Sequence, residues 1–474
     1  MPRGSKPKAS LYGLRRRCEE RIPVIPHRGA AACRRLMFWG KGGMMVEMME
    51  MWGMGMKRIH YQTVVIGGGA AGYAAACTLA DEIGGKTTAV VEKQTKAGRK
   101  LLATGNGRCN ISNEHISLSH YHGDEAIAER VLSSFSAQDM RTFFGKLGVM
   151  LRTDSEGRIY PYSNQAVTIL SALQEHCRRK NVCEMLSFEI QSVRKENGVF
   201  IITSPDMTIT SEKLIFACGS KAAPKLGADD SGFALLSSFG IHPTALFPSL
   251  SPVYCAEKRK NLKGVRAKGK ALLVADGKPV KTTFGEIQFI EKGLSGICIF
   301  ELSRYVNEFL SFGTVGKTAV HTVNIELDLV QELSFRELLQ LLENNRSIFS
   351  RSPAVNMISG ILPQALSGQI AKECGLSEKP CSSLTSRDLK LLTKTIKQFS
   401  FTPETLCGFD TAQVCAGGID STQINPDTLM SRNVRNLYLC GEMLNVDGDC
   451  GGFNLHFAVG SGILAAKHIS KTIT

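Results

Sequence analysis

The sequence predicts an α/β protein in which one domain is interrupted by an inserted module and completed by the C-terminus. Three observations predict this. A strand–glycine–helix–strand unit begins near residue 57, a strand-rich and then helical stretch fills the middle, and the chain ends in strand, glycine loop and helix. With 43% hydrophobic and 21% charged residues in 474, there is enough apolar material for a sizeable core and too much for a disordered chain. Two or three domains of roughly 100–200 residues are expected. The 46 glycines with 7% aromatics suit many tight strand-to-helix turns, and no glycine period of three points to a fibre.

Residues 1–55 show neither a helical nor a strand period and end in a Met-rich run, Gly42 to Met56. They carry eleven Lys/Arg against four Glu, about half of the net charge of +14. We read them as a disordered or non-native extension, with a start at Met54 or Met56. Scarce acids and frequent Arg also suit a transit peptide, although Ser is not enriched.

The first part of the main domain, 56–244, opens with YQTVVIGGG, a β-branched strand running into glycines. AAGYAAACTLADEIGG follows as an Ala-rich helix stopped by Gly84 and Gly85, and TTAVVEK as a second strand ending at Glu92. A helical crossover makes the two strands parallel. Residues 184–218 alternate apolar and polar residues in runs broken at Asn197-Gly198 and Pro205-Asp206, a β-meander feeding a buried strand, LIFACG. Residues 245–332 read as an inserted β domain with a DGKP turn at Asp276 to Pro279. Residues 333–408 read as a helical insertion (FRELLQLLENN, SRDLKLLTKTIKQF), and 409–474 as the second part of the main domain.

Gly67, Gly69 and Gly72 spell GxGxxG directly between strand and helix, with Ala70 and Ala71 opening the helix. The first glycine permits the tight turn, the second a close approach of backbone to a pyrophosphate, and the third the packing of helix on strand. The pyrophosphate then faces unpaired N–H groups and the positive end of the helix dipole. Glu92, followed by Lys93, closes the second strand where a carboxylate accepts hydrogen bonds from both ribose hydroxyls and repels a 2′-phosphate. This unit alone leaves NAD and FAD open.

Two further segments bear on the choice. Lys96 to Asn113 sets Arg99, Lys100, Thr104, Asn106, Arg108 and Asn110 among Gly98, Gly105 and Gly107, placed to run along an extended dinucleotide. The segment from Leu437 ends a strand at Gly441-Glu442. It continues through Asp447, Gly448, Gly451, Gly452 and Asn454 into a second helix N-terminus, suited to a polar ring edge or a ribityl chain.

Other chemistry is poorly supported. The fifteen cysteines form no CxxC pair or zinc-finger spacing and read as reduced thiols, and the run Val64 to Ala80 is too short and glycine-broken to span a bilayer. No metal-ligand cluster and no Ser/His/Asp set stand out. Cys109 beside Arg108 and His456 at the final helix are the weak catalytic candidates, each read first as a packed structural residue. Tyr160 and Tyr162 could stack on a ring or donate protons, though packing explains them equally well.

Several of these segments together resemble one family. They are TGNGRCNISN, GRIYPYS at Gly157 to Ser163, LIFACGS, GLSG at Gly293 to Gly296, and the terminal run containing LCGEMLNVDGDCGGFNLHFAVGSG. They are similar to the HI0933-like flavoproteins, also described as aminoacetone-oxidase-family or BaiN-like FAD-dependent oxidoreductases, over residues 57–474. The match loosens at Cys218, Lys221 and Ala223. The resemblance implies a glutathione-reductase-like FAD-binding Rossmann domain with an inserted β-barrel-like and helical module over the flavin. It implies FAD held by Gly67, Gly69, Gly72, Glu92, the Asn106 to Asn110 loop and the segment Gly441 to Asn454, with Ala217 and Gly219 at the end of LIFACGS as added contacts.

The expected function is hydride transfer between FAD and a small organic substrate, with NAD(P)H as a possible co-substrate although a second GxGxxG is missing. The expected location is cytoplasmic, with no membrane or specific nucleic-acid partner. A flavoprotein acting on tRNA or another nucleic acid is the alternative, suggested by pI 9.1 and the basic start. A non-catalytic dinucleotide-binding scaffold is the other.

Overall fold

A computed structural model describes residues 57–315 and 318–473; the reading of 1–55 as an extension starting at Met54 or Met56 lies outside the described residues. At the centre is a mixed sheet. Strand β1 (Lys57–Ile66) leads into helix α1 (Ala70–Leu79), which returns to β2 (Thr88–Val91), parallel to β1. Strand Cys183–Met185 extends the sheet beyond β2 in the same direction.

On its other side β1 pairs in parallel with Met207–Phe216 along almost its whole length. The sequence suggests that LIFACG is a separate strand after a meander, but Met207–Phe216 is one continuous element that changes partners midway. Its first half pairs antiparallel with Val199–Thr203, and its second half pairs parallel with Leu437–Leu439. Strand Ser192–Glu196 closes the antiparallel edge.

Val64, Val65, Ile66, Val90 and Val91 are all buried, as expected of parallel strands covered on both faces. Helix α1 is buried along every residue because the sheet lies on one side and helix Phe453–Lys471 on the other. Small residues permit that approach: a Cβ at Gly462 would stand 2.3 Å from the Ala71 carbonyl oxygen. The main core therefore draws on both ends of the described chain, from Val64 to Ile241 and from Ile419 to Ile469.

A second core runs from Val253 to Leu406. Its seven-stranded antiparallel sheet has the order Phe399–Phe401, Val323–Asp328, Arg266–Ala275, Lys278–Ile290, Gly293–Ser295, Val253–Cys255, Pro403–Leu406. Asp276 and Gly277, both at positive φ, make the two-residue hairpin turn between its two longest strands. Two features depart from the sequence reading. Helix Ile297–Phe312 lies within the stretch read as strands, burying Cys298, Ile299, Leu302 and Val306 at helical spacing. Strands Phe399–Phe401 and Pro403–Leu406, from the end of the stretch read as helical, supply both edges of the sheet. No described helix is long and apolar enough to cross a membrane.

Candidate functional site

The first turn after β1 is built by close contacts that exclude side chains. Gly67 has φ +111°, and a Cβ there would lie 2.4 Å from the Ala217 carbonyl oxygen. A Cβ on Gly72 would lie 2.0 Å from the Gly67 carbonyl oxygen. These two glycines let β1, α1 and the end of Met207–Phe216 meet. Gly69 differs: nothing lies within 4 Å of a Cβ placed on it. It is the N-cap of α1, with no side chain capping the helix and no acid in its first turn. The helix thus offers orphan backbone N–H groups and a positive dipole end to open space, the arrangement that accepts an anion.

That space is a cleft of about 810 Å³, within the range of ligand sites. Its wall includes Gly67, Gly69, Ala70, Ala71, Glu92, Lys93, Arg99, Lys100, Thr104, Gly105, Asn106, Arg108 and Asn110 from the first part of the chain. Ala217, Gly219, Gly441, Glu442, Gly451, Gly452 and Asn454 also line it. Most of the residues singled out in the sequence are therefore brought to one surface by β1, β2, helix α2 (Arg99–Ala103) and the C-terminal glycine loop.

Several are already engaged. The Glu92 carboxylate accepts the Gly68 N–H and the Gln94 N–H, both at 2.9 Å, which fixes it at the mouth of the turn while leaving lone pairs for a further donor. Lys93 is paired with Asp229. Arg99 donates to Gln94 Oε1 at 3.0 Å and to the Lys225 carbonyl at 2.8 Å. Thr104 Oγ1 donates to the Leu101 carbonyl at 2.6 Å, Gly105 and Asn106 follow in left-handed conformation, and the Arg108 guanidinium stacks 5.3 Å over the Tyr160 ring. Asn110 Oδ1 is a buried acceptor without a partner among the described residues, beside Gly452.

The C-terminal side presents a second helix end. Gly451 and Gly452 have φ +123° and +100°, and a Cβ on Gly452 would lie 2.3 Å from the Ser112 carbonyl oxygen. Gly452 is the N-cap of Phe453–Lys471, again with no side-chain cap and no acid in the first turn. Asn454 is folded back onto Gly448, accepting its N–H at 2.8 Å and donating to its carbonyl at 2.7 Å, which holds the loop shut.

Several sequence candidates do not line the cleft. Gly72 is taken up by the helix–strand contact described above. Gly107 sits at φ +82° in the exposed part of its loop. Asp447 is buried against Arg304 and accepts from Ser249 Oγ at 3.2 Å, so its charge is spent inside the protein. Cys109 is fully buried at φ +60°, and burial pushes its thiol up to about 12, which leaves no thiolate for redox chemistry at neutral pH. His456 is also fully buried. Its Nε2–H donates to the Phe135 carbonyl at 2.9 Å and its Nδ1 accepts from Ser112 Oγ at 2.8 Å, while burial lowers it to about 4. It is a neutral structural imidazole. Tyr160 lines the cleft as the platform for Arg108, and Tyr162 is exposed under Arg152.

The resemblance implied that the inserted module covers the site, but sequence reasoning named none of the residues it supplies to the wall. Helix Ile297–Phe312 contributes Ile297 and Glu301, and strand Lys278–Ile290 contributes Phe284. Phe284 and Ile297 are 61% and 42% exposed and give this part of the wall an apolar surface. Asp449, within the quoted glycine loop but not singled out, and Cys450, read from the sequence as a packed structural residue, line it too. Among the described residues no group of three His, Cys, Asp or Glu is arranged to hold a metal ion.

A family model described as HI0933-like protein Rossmann domain matches residues 61–468. A 3-dehydro-bile acid delta(4,6)-reductase of Clostridium scindens is 33% identical over 407 residues, 85% of this chain and 97% of that protein. A ribosomal RNA dihydrouridine synthase of Escherichia coli is 27% identical over 417 residues, 86% of this chain and 98% of that protein. Among solved structures, a 3-ketosteroid delta1-dehydrogenase from Sterolibacterium denitrificans superposes with a TM-score of 0.47 at 12% identity, covering 87% of this chain and 100% of that one.

Proposed function

The chain belongs to the HI0933-like family and is an oxidoreductase, and from that premise we propose that it uses FAD to reduce a carbon–carbon double bond conjugated to a carbonyl in a small, largely apolar molecule. The observation that carries the FAD reading is the convergence of two uncapped helix N-termini, at Gly69 and Gly452, on one cleft that also holds the Glu92 carboxylate. The donor set fits such a cofactor. Gly69 leaves room for a diphosphate against the backbone, Glu92 has lone pairs for a ribose diol, and Asn110 and the Gly451–Gly452 turn offer polar groups to a ring edge or ribityl chain.

When bound, FAD supplies two-electron hydride chemistry that no side chain of the protein has. The protein's own residues bind and orient. Lys100 and Glu442 tie the two halves of the cleft wall together, and Gly67 and Gly72 keep the anion-binding turn rigid. Phe284 and Ile297 present an apolar face that suits a hydrocarbon framework.

The substrate class is supported by the relatives' names, a bile acid delta(4,6)-reductase and dihydrouridine synthases, because both reactions saturate a carbon–carbon double bond adjacent to a carbonyl. The exposed Phe284 and Ile297 favour a hydrophobic small molecule over a nucleic acid. NAD(P)H is the external reductant in this proposal. The test is anaerobic: reduce the flavin with NADH and NADPH separately, then add a 3-oxo-4,6-diene bile acid. Return of the oxidised flavin spectrum with saturation of the diene is expected, and a reduced spectrum unchanged by the steroid would contradict the substrate class.

A further inference from the structure

The inserted core brings an unpaired carboxyl to the cleft. Glu301 lies on the second turn of Ile297–Phe312, half-buried in the cleft wall, and accepts no hydrogen bond among the described residues. Its neighbour across the cleft wall is Asp449, and the two carboxyls stand in opposite surroundings. Asp449 is buried between two imidazoles, with His122 Nε2 at 2.9 Å and His120 Nδ1 at 3.2 Å, both presented by the strand end 120–123. Burial works against its charge, but the His122 hydrogen bond and nearby cations hold Asp449 below the usual carboxylate range. Burial, and then the Asp449 charge, push Glu301 up to about 7. A pair of carboxyls split in this way provides one fixed anion and one carboxyl that is protonated in a large share of molecules at neutral pH.

The other groups around Glu301 leave that division intact. Lys281, on strand Lys278–Ile290, is the cation that opposes the shift, and its Nζ lies 5.9 Å over the Tyr305 ring. Tyr305 in turn meets His122 edge-on at 6.0 Å. Cys298 is buried and Cys450 half-buried, and both thiols are raised by burial. Glu286 is paired with Arg266 at 3.0 Å, and Arg304 with Asp447. Of the strands packed on the helix, Phe247–Ser249, Gly293–Ser295 and Thr314–Val315 carry no titratable side chain, Glu404, Lys268 and Lys278 are exposed, and Lys270 stands 3.9 Å from Asp328.

We propose that Glu301 is a catalytic residue, the general acid that delivers the proton when the substrate double bond is reduced, and that Asp449, held by His120 and His122, is the positioning residue beside it. The inference rests on the alkene-reduction reading. Reduced FAD, held at the Gly69 and Gly452 helix ends, would supply a hydride with its electron pair to one alkene carbon and be left oxidised. The neighbouring carbon accepts the proton of the Glu301 carboxyl. The π bond is lost, two C–H bonds form, and the Glu301 carboxylate regains its proton from water once the open cleft empties.

Two measurements on the full-length holoprotein test this. Infrared difference spectra across pH should show a protonated-carboxyl band that disappears through about pH 7 in the wild type and is missing in Glu301→Gln. In stopped flow, reduced enzyme mixed anaerobically with a 3-oxo-4,6-diene bile acid should be reoxidised at a rate that falls above about pH 7. Glu301→Gln should slow that step about 100-fold and flatten its pH profile. Glu301→Asp, which retains an acid, should recover part of the rate and the pH dependence, whereas a packing defect would give equal losses in both variants. Identical infrared titrations in wild type and Glu301→Gln, or a Glu301→Gln rate within about twofold of wild type, would overturn the assignment. A protein that neither carries nor takes up flavin fails the functional reading instead, and flavin absorbance separates that failure from a wrong choice of acid.

Discussion

Lys100 donates to Glu442 Oε2 at 2.6 Å although the two residues are 342 positions apart, and Glu442 Oε1 accepts the Cys415 N–H at 2.8 Å. One carboxylate thus fastens α2, the loop before the C-terminal helix and strand Val414–Ala416 around the cleft. The cleft wall is closed by chemistry as well as by shape.

This arrangement predicts unequal losses on either side of the pair. Lys100→Met removes one half-exposed ion pair and should cost about 0.5–1 kcal/mol. Glu442→Ala also strands the Cys415 amide and should cost about 2 kcal/mol or more. Urea unfolding of the two variants checks the order, and a larger loss for Lys100→Met would contradict it.

Gly67 and Gly69 stand two residues apart in one turn but predict opposite outcomes. Gly67→Ala forces a Cβ to 2.4 Å from a carbonyl oxygen at φ +111°, so a loss of folded protein is expected. At Gly69 a Cβ meets nothing within 4 Å and φ is an ordinary −94°, so Gly69→Val should hardly move the melting temperature while FAD affinity falls. Thermal melts of the apoprotein alongside flavin titration separate the two. Equal flavin affinity in Gly69→Val would remove the anion role from that helix end.

His456 sets a pH limit on stability. Its folded value, about 4, lies below the ordinary 6.5, so the native state binds fewer protons than the unfolded chain between them. The stabilisation is complete above pH 6.5 and is lost as pH falls towards 4, by up to roughly 3 kcal/mol. His456→Gln should unfold over a shallower acid limb in the same denaturant series. An unchanged acid limb would contradict the assignment.

Cys109 should resist alkylation in the folded protein at pH 8, because it is fully buried and its thiol is raised to about 12. Mass spectrometry after brief iodoacetamide treatment checks this. Rapid native-state labelling would show an accessible thiolate that this packing does not allow.

The glycine turn, Glu92 and the two helix ends were legible in the sequence because their roles depend on local spacing: strand, tight turn, helix start. Other features depended on distant neighbours. Lys93 is engaged by Asp229, and Asp447 by Arg304 and Ser249, partners that no local pattern reveals. Glu301 was hidden because its helix sits among strands. The apolar spacing of Cys298, Ile299, Leu302 and Val306 was the signal that could have shown the helix. Its acidity is a property of burial and of Asp449, which exists only once the two cores meet at the cleft.

The most direct test of the account is anaerobic titration of purified protein, stripped of small molecules, with FAD while the visible spectrum and bound fraction are recorded. Saturation at one FAD per chain, with the spectral shift of a flavin leaving water and with weakened binding in Gly69→Val, is the predicted result. Absence of saturable binding in a folded protein would contradict it.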